Sequence, residues 1–447
     1  MESEAGLLAE IEALVSDRVL VFGSLPPAGR DLDLLVRPAE QAALEEGLAG
    51  AGFEHAGGLW LRLRESTPEV VDLEPAASWG LGESELAALF DEGLTLPQHK
   101  LLVSPAPHHA LLILARRRVR SRDPLGGRAR ERLEQALTPE AVSKARDRAA
   151  LWGSQGSLEL LLSDGEQGTA SAGSRAAALA RELGSGRAVA KLPTVLAGRA
   201  TARARRARVG MVIAFSGLDG CGKSSQTVAL RESLDRLGIS TEIVWTSLTG
   251  HPRWLHLISA LAKRSLALLS RAREAPAVPA DEAPRLTGGR SAPFDPGREL
   301  RRRSPLITAG WTAVLALQFV AKMRRSTSPP LLRGQVVFCD RHVLDAAVEL
   351  RYNYGEDRSF ALQNAILRLG APRARHAFFL EVPAATASRR KADFELVENE
   401  RRAELYRAEA RRLGIHRIDG DRPADTVTAE IMGVIWPDLV RARRRAG

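Results

Sequence analysis

The feature that most constrains this chain is an apolar run that leads directly into a glycine-rich turn, MVIAFSGLDGCGKSSQTVALRESL. Residues 217–224, GLDGCGKS, fit the pattern G-x-x-x-x-G-K-[ST] without a gap and are called the glycine loop below. Glycines let the backbone curl so that its N–H groups point at phosphate oxygens, and the next helix presents its positive end to them. A strand before this loop and an amphipathic helix after it are the context that phosphate binding requires.

Two side chains of the glycine loop carry specific expectations. Lys223 is expected to reach the β- and γ-phosphates of ATP, and the Ser224 hydroxyl to ligate Mg²⁺. The residues expected to bind the nucleotide are Gly217, Gly220, Cys221, Gly222, Lys223, Ser224 and Ser225. ATP and Mg²⁺ are therefore the predicted cofactors.

A second motif supports the first. The stretch GQVVFCDRH is an apolar strand that ends in Asp340 and Arg341. A carboxylate at the carboxyl end of a strand opposite the loop is where the Mg²⁺ shell or an acceptor hydroxyl needs a partner. Arg341 beside it is able to grip an acceptor phosphate through two hydrogen bonds.

Strand and helix patterns alternate from Met211 onward. The strand-like runs are MVIAFSG, TEIVW, GQVVFCD, HAFFLEV and IHRID, separated by helical stretches. This alternation predicts an α/β domain over 208–447 with a parallel five-stranded sheet covered on both faces. One stretch rich in Pro, Gly and charge, about 272–303, is predicted to be a mobile insertion.

The front of the chain has a different pattern. Over 1–105 short apolar runs (RVLVFGS, DLDLLV, LWLRLR, EVVDLE) alternate with turns and predict a small α+β domain with a mixed sheet. Over 106–200 the pattern becomes helical, as in HHALLILARRR, RARERLEQAL and SRAAALARELG, and predicts a helical extension followed by a linker.

Four motifs in the second half resemble successive landmarks of thymidylate kinases, which are P-loop nucleoside monophosphate kinases. They are GLDGCGKSSQ, CDRH, FFLEVPAATASRRKAD and LYRAEARRLGIHRIDGDRPADTVTAEI, in the family's order and covering about 210–437. The resemblance implies that Asp219 approaches the acceptor's sugar hydroxyl and that Asp340 and Arg341 handle Mg²⁺ or catalysis and the acceptor phosphate. It implies further that IDGDRPADTV borders the adenine, and that a lid over the ATP phosphates is formed by Arg389, Arg390 and Lys391.

Three departures from that family concern the acceptor. The family's Arg-Glu-Pro-Gly turn is replaced by TSLTGHPRW, and the arginine that reads thymine is missing from the counterpart FVAKM, residues 319–323. The segment VLDAAVELRYNYG also differs from the family's serine-and-tyrosine run. The default acceptor is dTMP, and a different phosphorylated or sugar-like acceptor stays open. The aromatic residues Trp245, Trp254, Trp311 and Phe319 are interpreted as core residues, with stacking on a base or sugar as the alternative.

The front domain carries a second group of candidate residues. Asp31 and Asp33 alternate on one strand and so face one side of the sheet, and Asp72 lies on another apolar strand. Three converging carboxylates are what two-metal nucleotidyl transfer needs to hold Mg²⁺. This pattern resembles the minimal nucleotidyltransferases of the DNA polymerase β superfamily, and the resemblance implies triphosphate contacts by Gly23 and Ser24. A catalytically silent relative and plain structure stay open. His108 and His109 are interpreted as surface or capping histidines.

Composition limits the partners. The net charge of +10 comes from arginine, since only seven lysines occur, and the basic runs 203–208, 301–303 and 441–445 have no interleaved aromatic residues. We therefore do not expect a nucleic-acid partner. The long apolar segment 305–323 carries polar residues and predicts a buried helix, not a membrane span. Two cysteines, Cys221 and Cys339, and an N-terminus without signal-peptide character favour a cytoplasmic location.

The sequence thus predicts an ATP-dependent kinase that acts on a nucleotide or another small phosphorylated acceptor, with a homodimer left open. Two alternatives remain. In the first, the front domain is a Mg²⁺-dependent nucleotidyltransferase for a small molecule. In the second, the chain is a non-catalytic ATP-binding switch.

Overall fold

The computed structural model describes residues 2–23, 25, 31–120, 127–164, 174, 177–178, 209–248, 305–356, 358–391 and 394–446. The chain divides into two compact units, which we treat separately. Unit 1 comprises Met1–Val209, Arg231–Ser240 and Ile431–Gly447, and unit 2 comprises Gly210–Leu230 and Thr241–Glu430. The predicted insertion at 272–303 lies outside the described residues, as does nearly all of the linker.

Unit 1 is built on a seven-stranded mixed sheet with the order β3-β4-β5-β2-β1-β7-β6. Its strands are β1 (Val19–Val21), β2 (Leu32–Leu35), β3 (Glu54–Ala56), β4 (Leu59–Arg64), β5 (Thr67–Glu74), β6 (Leu94–Thr95) and β7 (Leu102–Ser104). Two neighbours in this sheet, β2 and β5, run parallel and place Asp33 opposite Asp72. The mixed sheet expected here is confirmed.

The helices of unit 1 pack on this sheet and on one another. They are α1 (Glu2–Ala13), α2 (Pro38–Gly50), a short 3₁₀ helix (Ala76–Trp79), α3 (Glu83–Asp91), α4 (Pro107–Arg120), α5 (Gly127–Ala136), α6 (Pro139–Ala149) and α7 (Gln155–Asp164). Buried leucines and alanines of α4 to α7 share one core with Trp152, which is fully buried. The helical pattern expected after residue 106 is therefore confirmed by α4 to α7, while most of the run SRAAALARELG lies outside the described residues.

Unit 2 contains an all-parallel five-stranded sheet with the order β12-β11-β8-β10-β9. Its strands are β8 (Val212–Ser216), β9 (Thr241–Trp245), β10 (Val336–Asp340), β11 (His376–Glu381) and β12 (His416–Asp419). Every residue of the central strand β8 is buried, which is the burial expected when helices cover both faces of a parallel sheet. All five predicted strands and their parallel arrangement are confirmed.

The remaining helices are α8 (Lys223–Arg236), α9 (Pro305–Leu332), α10 (Val343–Tyr354), α11 (Ala361–Gly370), α12 (Ala384–Arg390), α13 (Leu396–Leu413) and α14 (Ala424–Ala446). The apolar segment 305–323 belongs to α9, whose inner face contributes Phe319 and Met323 to a buried core. In the part of the chain that the structure describes, no helix is both long and apolar enough to cross a membrane.

Candidate functional site

Strand order brings the two strongest sequence motifs together. β8 and β10 are neighbouring parallel strands, and Asp340 pairs in register with Phe215 near the end of β8. The glycine loop follows β8 directly and leads into α8, which begins at Lys223. Because both segments leave the carboxyl edge of one sheet, the loop and Asp340 lie side by side. This edge is where open α/β sheets bind ligands.

The loop has no room for a side chain at Gly220. Its φ is +90°, and a Cβ built there would lie 2.6 Å from the backbone oxygen of Ala387 in α12. Glycine is the residue that adopts this conformation without strain and allows such a close approach. The loop therefore packs directly against the backbone of α12, whose last residues are basic.

Lys223 is buried inside the loop, with 6% of its side chain exposed. Its ammonium donates hydrogen bonds to the carbonyl oxygens of Gly217 (2.8 Å) and Leu218 (2.9 Å). It also lies 3.9 Å from the Asp219 carboxylate. The N–H groups in the first turn of a helix have no acceptors within the helix and carry partial positive charge. Because α8 begins at Lys223, these donors lie beside the Lys223 ammonium on the same concave surface.

Ser224 and Asp340 form the contact between loop and strand. The exposed Ser224 hydroxyl donates to Asp340 Oδ2 at 3.3 Å. The other oxygen, Asp340 Oδ1, is buried and has no hydrogen-bond partner among the described residues. Burial raises the pKa of Asp340, and the charge of Lys223 acts in the opposite direction. Two oxygen donors, one without a partner, form a pair suited to a hard divalent cation.

Arg341 bridges two carboxylates. Its Nη2 donates to Asp219 at 2.5 Å, and its Nη1 donates to Glu349 of α10 at 3.3 Å. Its backbone has φ +79°, a left-handed conformation that costs a non-glycine residue about 1 kcal/mol or more. Hydrogen bonds from its N–H to Phe215 O and from Thr246 Oγ1 to its carbonyl hold it there. Burial acts to raise the pKa of Asp219, but Arg341 and Lys223 outweigh it and lower that pKa.

The buried acid Asp345, which was not predicted from the sequence, supports the carboxyl edge of the sheet in unit 2. Asp345 accepts hydrogen bonds from the Ser216 hydroxyl (2.6 Å), the His342 N–H (2.9 Å) and the Tyr406 hydroxyl (2.8 Å). These contacts tie the end of β8, the start of α10 and the middle of α13 to one carboxylate. Its position five residues after Asp340, on an apolar helix face, was the available signal. We regard Asp345 as a positioning residue.

A cavity of about 700 Å³ opens above these residues. Most of the site residues predicted for unit 2 line it, with Gly217 not among them. The lining residues from the nucleotide-binding, acceptor-binding, catalytic and lid predictions are Asp219, Gly220, Cys221, Gly222, Lys223, Ser224, Ser225, Asp340, Arg341, Arg390 and Lys391. Residues from the predicted adenine border line it as well, namely Gly420, Arg422, Ala424 and Val427. Arg389 is not among the lining residues and donates instead to Thr386 within its own helix.

Gln226 is a further lining residue that the sequence motif contained without an assigned role. Its buried amide donates to Ala424 O at 3.0 Å, and its carbonyl oxygen accepts from Thr428 at 2.8 Å. The side chain thus fixes α8 to the first turn of α14. Gln226 therefore positions one wall of the cavity.

The aromatic residues divide differently from the expectation. Trp245 lines the cavity with 57% of its surface exposed, and Lys322 Nζ lies 5.4 Å from its ring centroid, so its interpretation as a core residue is wrong. Trp245 is the last residue of β9, and a side chain at the end of a strand extends beyond the helices that cover the sheet. Phe319 is a core residue, and Trp311 packs against the same core and donates to Tyr354. Trp254 lies outside the described residues, as does TSLTGHPRW beyond Leu248.

The three aspartates of unit 1 also come together. Carboxylate oxygens of Asp31, Asp33 and Asp72 lie within 4.8 Å of one another. Burial, together with the charges of Asp31 and Asp72, raises the pKa of Asp33 to about 7. A Cβ built on Gly23 would lie 1.7 Å from Asp33 Oδ2, so the glycine packs against this carboxylate. Ser24 lies outside the described residues.

The interpretation of His108 and His109 as surface or capping residues is wrong, because both are buried. His108 Nε2 lies 3.0 Å from Glu92, and His109 stacks on Trp152 with ring centroids 5.7 Å apart. Donor atoms of Glu92, His108 and His109 lie within 4.8 Å of one another. Arg148, however, donates to Glu92 and has a nitrogen 3.4 Å from His109 Nε2. The positively charged guanidinium of Arg148 therefore takes the place that a metal ion would need in this cluster.

Comparison of the chain with models of known protein families gave no match, and no curated protein matches it either. The resemblances of its motifs therefore stay predictions, and its function has to be inferred from the residues described above.

Proposed function

We propose that unit 2 is an ATP-dependent phosphotransferase that passes the γ-phosphoryl group to a nucleoside monophosphate or a related small phosphorylated acceptor. The single observation that carries this proposal is the contact between Ser224 and Asp340 beside the buried ammonium of Lys223. It joins the three groups that phosphoryl transfer needs at one strand edge: a phosphate-binding cation, a Mg²⁺-binding hydroxyl and a strand-end carboxylate.

The charge of the cavity supports a polyphosphate ligand. Five cationic side chains line it (Lys223, Arg341, Arg390, Lys391 and Arg422), against the two carboxylates Asp219 and Asp340. A polyphosphate chain spreads negative charge over several oxygens, and convergent Lys and Arg side chains stabilise it as it develops further charge. An apolar metabolite would form no ion pairs with these side chains.

The residues present fit the cofactors. Ser224 Oγ and Asp340 are oxygen donors of the kind Mg²⁺ prefers, and the free oxygen Asp340 Oδ1 supplies a ligand position. Mg²⁺ held by these two side chains would neutralise part of the negative charge of the phosphate oxygens. Lys223 would exchange its two loop carbonyl partners for phosphate oxygens, with the N–H groups of the loop and of α8 beside it.

The acceptor side is formed by Asp219 and Arg341. With its pKa lowered, Asp219 is an ionised hydrogen-bond acceptor suited to a sugar hydroxyl. Arg390 and Lys391, at the end of α12, would close over the transferred group and exclude water. The default acceptor is dTMP. Because the thymine-reading arginine is missing and Lys322 lies against Trp245 instead, another phosphorylated or sugar-like acceptor is an equal part of this proposal.

A second candidate function belongs to unit 1. The converging carboxylates of Asp31, Asp33 and Asp72 favour Mg²⁺-dependent nucleotidyl transfer to a small molecule. A pKa near 7 on Asp33 is the expected effect of crowding three acids in a buried place, and a divalent cation would relieve that repulsion. Gly23 leaves the Asp33 carboxylate uncovered by a side chain.

The experiment that tests the proposal measures the release of ADP and, separately, of pyrophosphate from MgATP with dTMP, other nucleoside monophosphates and sugar phosphates, because phosphoryl transfer releases ADP and nucleotidyl transfer releases pyrophosphate. Lys223→Ala and the double variant Asp31→Ala with Asp33→Ala separate the two functions. Loss in Lys223→Ala alone supports the kinase. Nucleotidyl transfer lost only in the aspartate variant would move the function to unit 1, and ATP binding without turnover would indicate a switch.

A further inference from the structure

Helix α13 carries a buried arginine that the sequence did not single out. Arg402 has 5% of its surface exposed. Its Nε and Nη1 atoms are buried and have no hydrogen-bond partner among the described residues. Buried polar groups are almost always hydrogen-bonded, and a buried charge without a partner is costly. Arg402 is therefore an exception that needs a physical reason.

The surroundings of Arg402 hold the guanidinium without satisfying its donors. Its central carbon lies 4.2 Å from the ring centroid of Phe394 and 5.6 Å from that of Tyr352. Aromatic faces attract a guanidinium through cation–π interactions and fix its plane, but they accept no conventional N–H hydrogen bonds. The side chain is thus oriented in advance, with donors left over for another group.

Two other arginines of unit 2, Arg351 and Arg401, have acidic partners. Arg351 pairs with the buried Glu409 at 3.0 Å. Arg401, adjacent to Arg402 on the same helix, is 58% exposed and pairs with Glu356. Arg401 shows that an arginine of this helix is able to form an ion pair. The next residue, Arg402, lies where no described residue accepts a hydrogen bond from its Nε or Nη1.

Arg402 lies one helical turn before Tyr406 on the same face of α13, and Tyr406 donates to Asp345, which also accepts from the N–H of His342, the residue after Arg341. Arg402 itself is not among the residues that line the cavity. Its charge lowers the pKa of Asp219 and works against the burial that raises the pKa of Glu349. These two carboxylates are the ones that already engage Arg341. Arg341 is thus engaged by two carboxylates, whereas no described residue accepts a hydrogen bond from Nε or Nη1 of Arg402.

We propose that Arg402 binds the phosphate monoester group of the acceptor, through hydrogen bonds from its unpartnered guanidinium nitrogens to phosphate oxygens. This inference rests on the proposed phosphotransferase function and adds a residue and a substrate class to it. This binding is non-covalent. Arg341 keeps its ion pairs with Asp219 and Glu349 until an acceptor binds and replaces them. A neutral, unphosphorylated acceptor would leave the buried charge of Arg402 without a partner.

The test titrates inorganic phosphate by ³¹P NMR into the full chain. A Lys223→Ala background weakens phosphate binding at the glycine loop, and Arg402→Met is compared with Arg401→Met in that background. We expect the Kd for phosphate to rise about tenfold or more in Arg402→Met, the loss of a charge-assisted bond, and to stay unchanged in Arg401→Met. Equal affinities in the two variants, or no phosphate binding before Arg402 is changed, would overturn the proposal.

A stability measurement excludes a purely structural role. Without phosphate, Arg402→Met should unfold at the wild-type denaturant midpoint or above it, because it removes an unpaired buried charge. Arg351→Met, which breaks a paired one, should unfold earlier. A loss in Arg402→Met as large as in Arg351→Met would contradict a binding role.

Turnover separates this inference from the proposed function. If dTMP or another phosphorylated acceptor supports ADP release, Arg402→Met should raise the KM for that acceptor about tenfold or more and leave the KM for ATP unchanged. If the KM for the acceptor is the same in Arg402→Met and in the wild type, the inference about Arg402 is overturned and the proposed kinase function is retained. Phosphate binding that depends on Arg402 in a protein without ATP turnover would keep the binding site and overturn the kinase.

Discussion

Ser224 and Asp340 are separated by 116 residues in sequence, yet the hydroxyl of the first donates to the carboxylate of the second at 3.3 Å. The contact exists because β8 and β10 are parallel neighbours, so that the segments following them leave the same sheet edge. Each residue alone has an ordinary structural explanation. Together, beside the buried ammonium of Lys223, they carry the site that we propose for a cation and a phosphate chain.

Asp340→Asn should raise the Mg²⁺ concentration needed for half-maximal ADP release and lower the maximal rate about 100-fold or more, because a neutral amide is a poor ligand for a hard cation. The measurement is ADP release as a function of free Mg²⁺. An unchanged Mg²⁺ dependence would remove Asp340 from the metal shell.

The neighbouring acid provides the contrast. Asp345→Asn should lower the free energy of unfolding by about 2 kcal/mol or more, because one of its three buried donors loses an acceptor. Any residual activity in this variant should keep the wild-type Mg²⁺ dependence. A shift in that dependence, with stability preserved, would make Asp345 a ligand and not a positioning residue.

Gly220→Ala should abolish nucleotide binding, because the added methyl group meets Ala387 O and the φ of +90° is strained for alanine. Gly310→Ala is the matched control, since a Cβ there meets nothing within 4 Å and the residue lies inside α9. That control should be neutral or stabilising by about 0.5–1 kcal/mol. Calorimetric titration with MgADP checks both, and normal binding by Gly220→Ala would contradict the packing described here.

Trp245 should report ligand binding. Its exposed ring lines the cavity, so MgADP or an acceptor bound there should change its fluorescence, and Trp245→Phe should remove most of that change. Trp311→Phe is the control, because Trp311 packs against the core and does not line the cavity. A signal that survives Trp245→Phe would place the ligand elsewhere.

The pH dependence of unit 1 should reflect His109. Burial, aided by His108 and Arg148, lowers the pKa of His109 from 6.5 to about 3. Between these values the unfolded chain binds a proton that the folded chain does not, so stability is lost as the pH falls below about 6.5. His109→Phe, which keeps an aromatic ring beside Trp152, should flatten this slope in denaturant unfolding between pH 4.5 and 7.5. An unchanged slope would assign the effect to other groups.

Much of the sheet in each unit follows from the sequence, because short runs of continuous or alternating apolar residues are separated by turns or helical stretches. The five strands of unit 2 and four strands of unit 1 belong to this class. The strands β3, β6 and β7 were missed because each has only two or three residues and none lies in an apolar run of four, whereas the equally short β1 lies in the run VLVF.

The site was predictable where a local motif carries the chemistry, as in the glycine loop and the pair Asp340 and Arg341. Glu349 and Arg402 were not predictable, because their roles come from helices α10 and α13 packing against the strand edge, and helical periodicity makes such residues resemble ordinary core or surface positions. The burial of His108 and His109 was missed for the same reason, since α4 is covered by helices that follow it in sequence. For Asp345 the one signal in the sequence was an acid on an apolar helix face five residues after Asp340.

The most direct measurement is ADP release from MgATP by the purified full chain with dTMP, other nucleoside monophosphates and sugar phosphates, using Lys223→Ala as the blank and Lys144→Ala, an exposed lysine, as the control. The account predicts turnover with at least one phosphorylated acceptor that is lost in Lys223→Ala and kept in Lys144→Ala. Turnover that persists in Lys223→Ala, or no turnover with any acceptor in a protein that is folded and supplied with Mg²⁺, would contradict it.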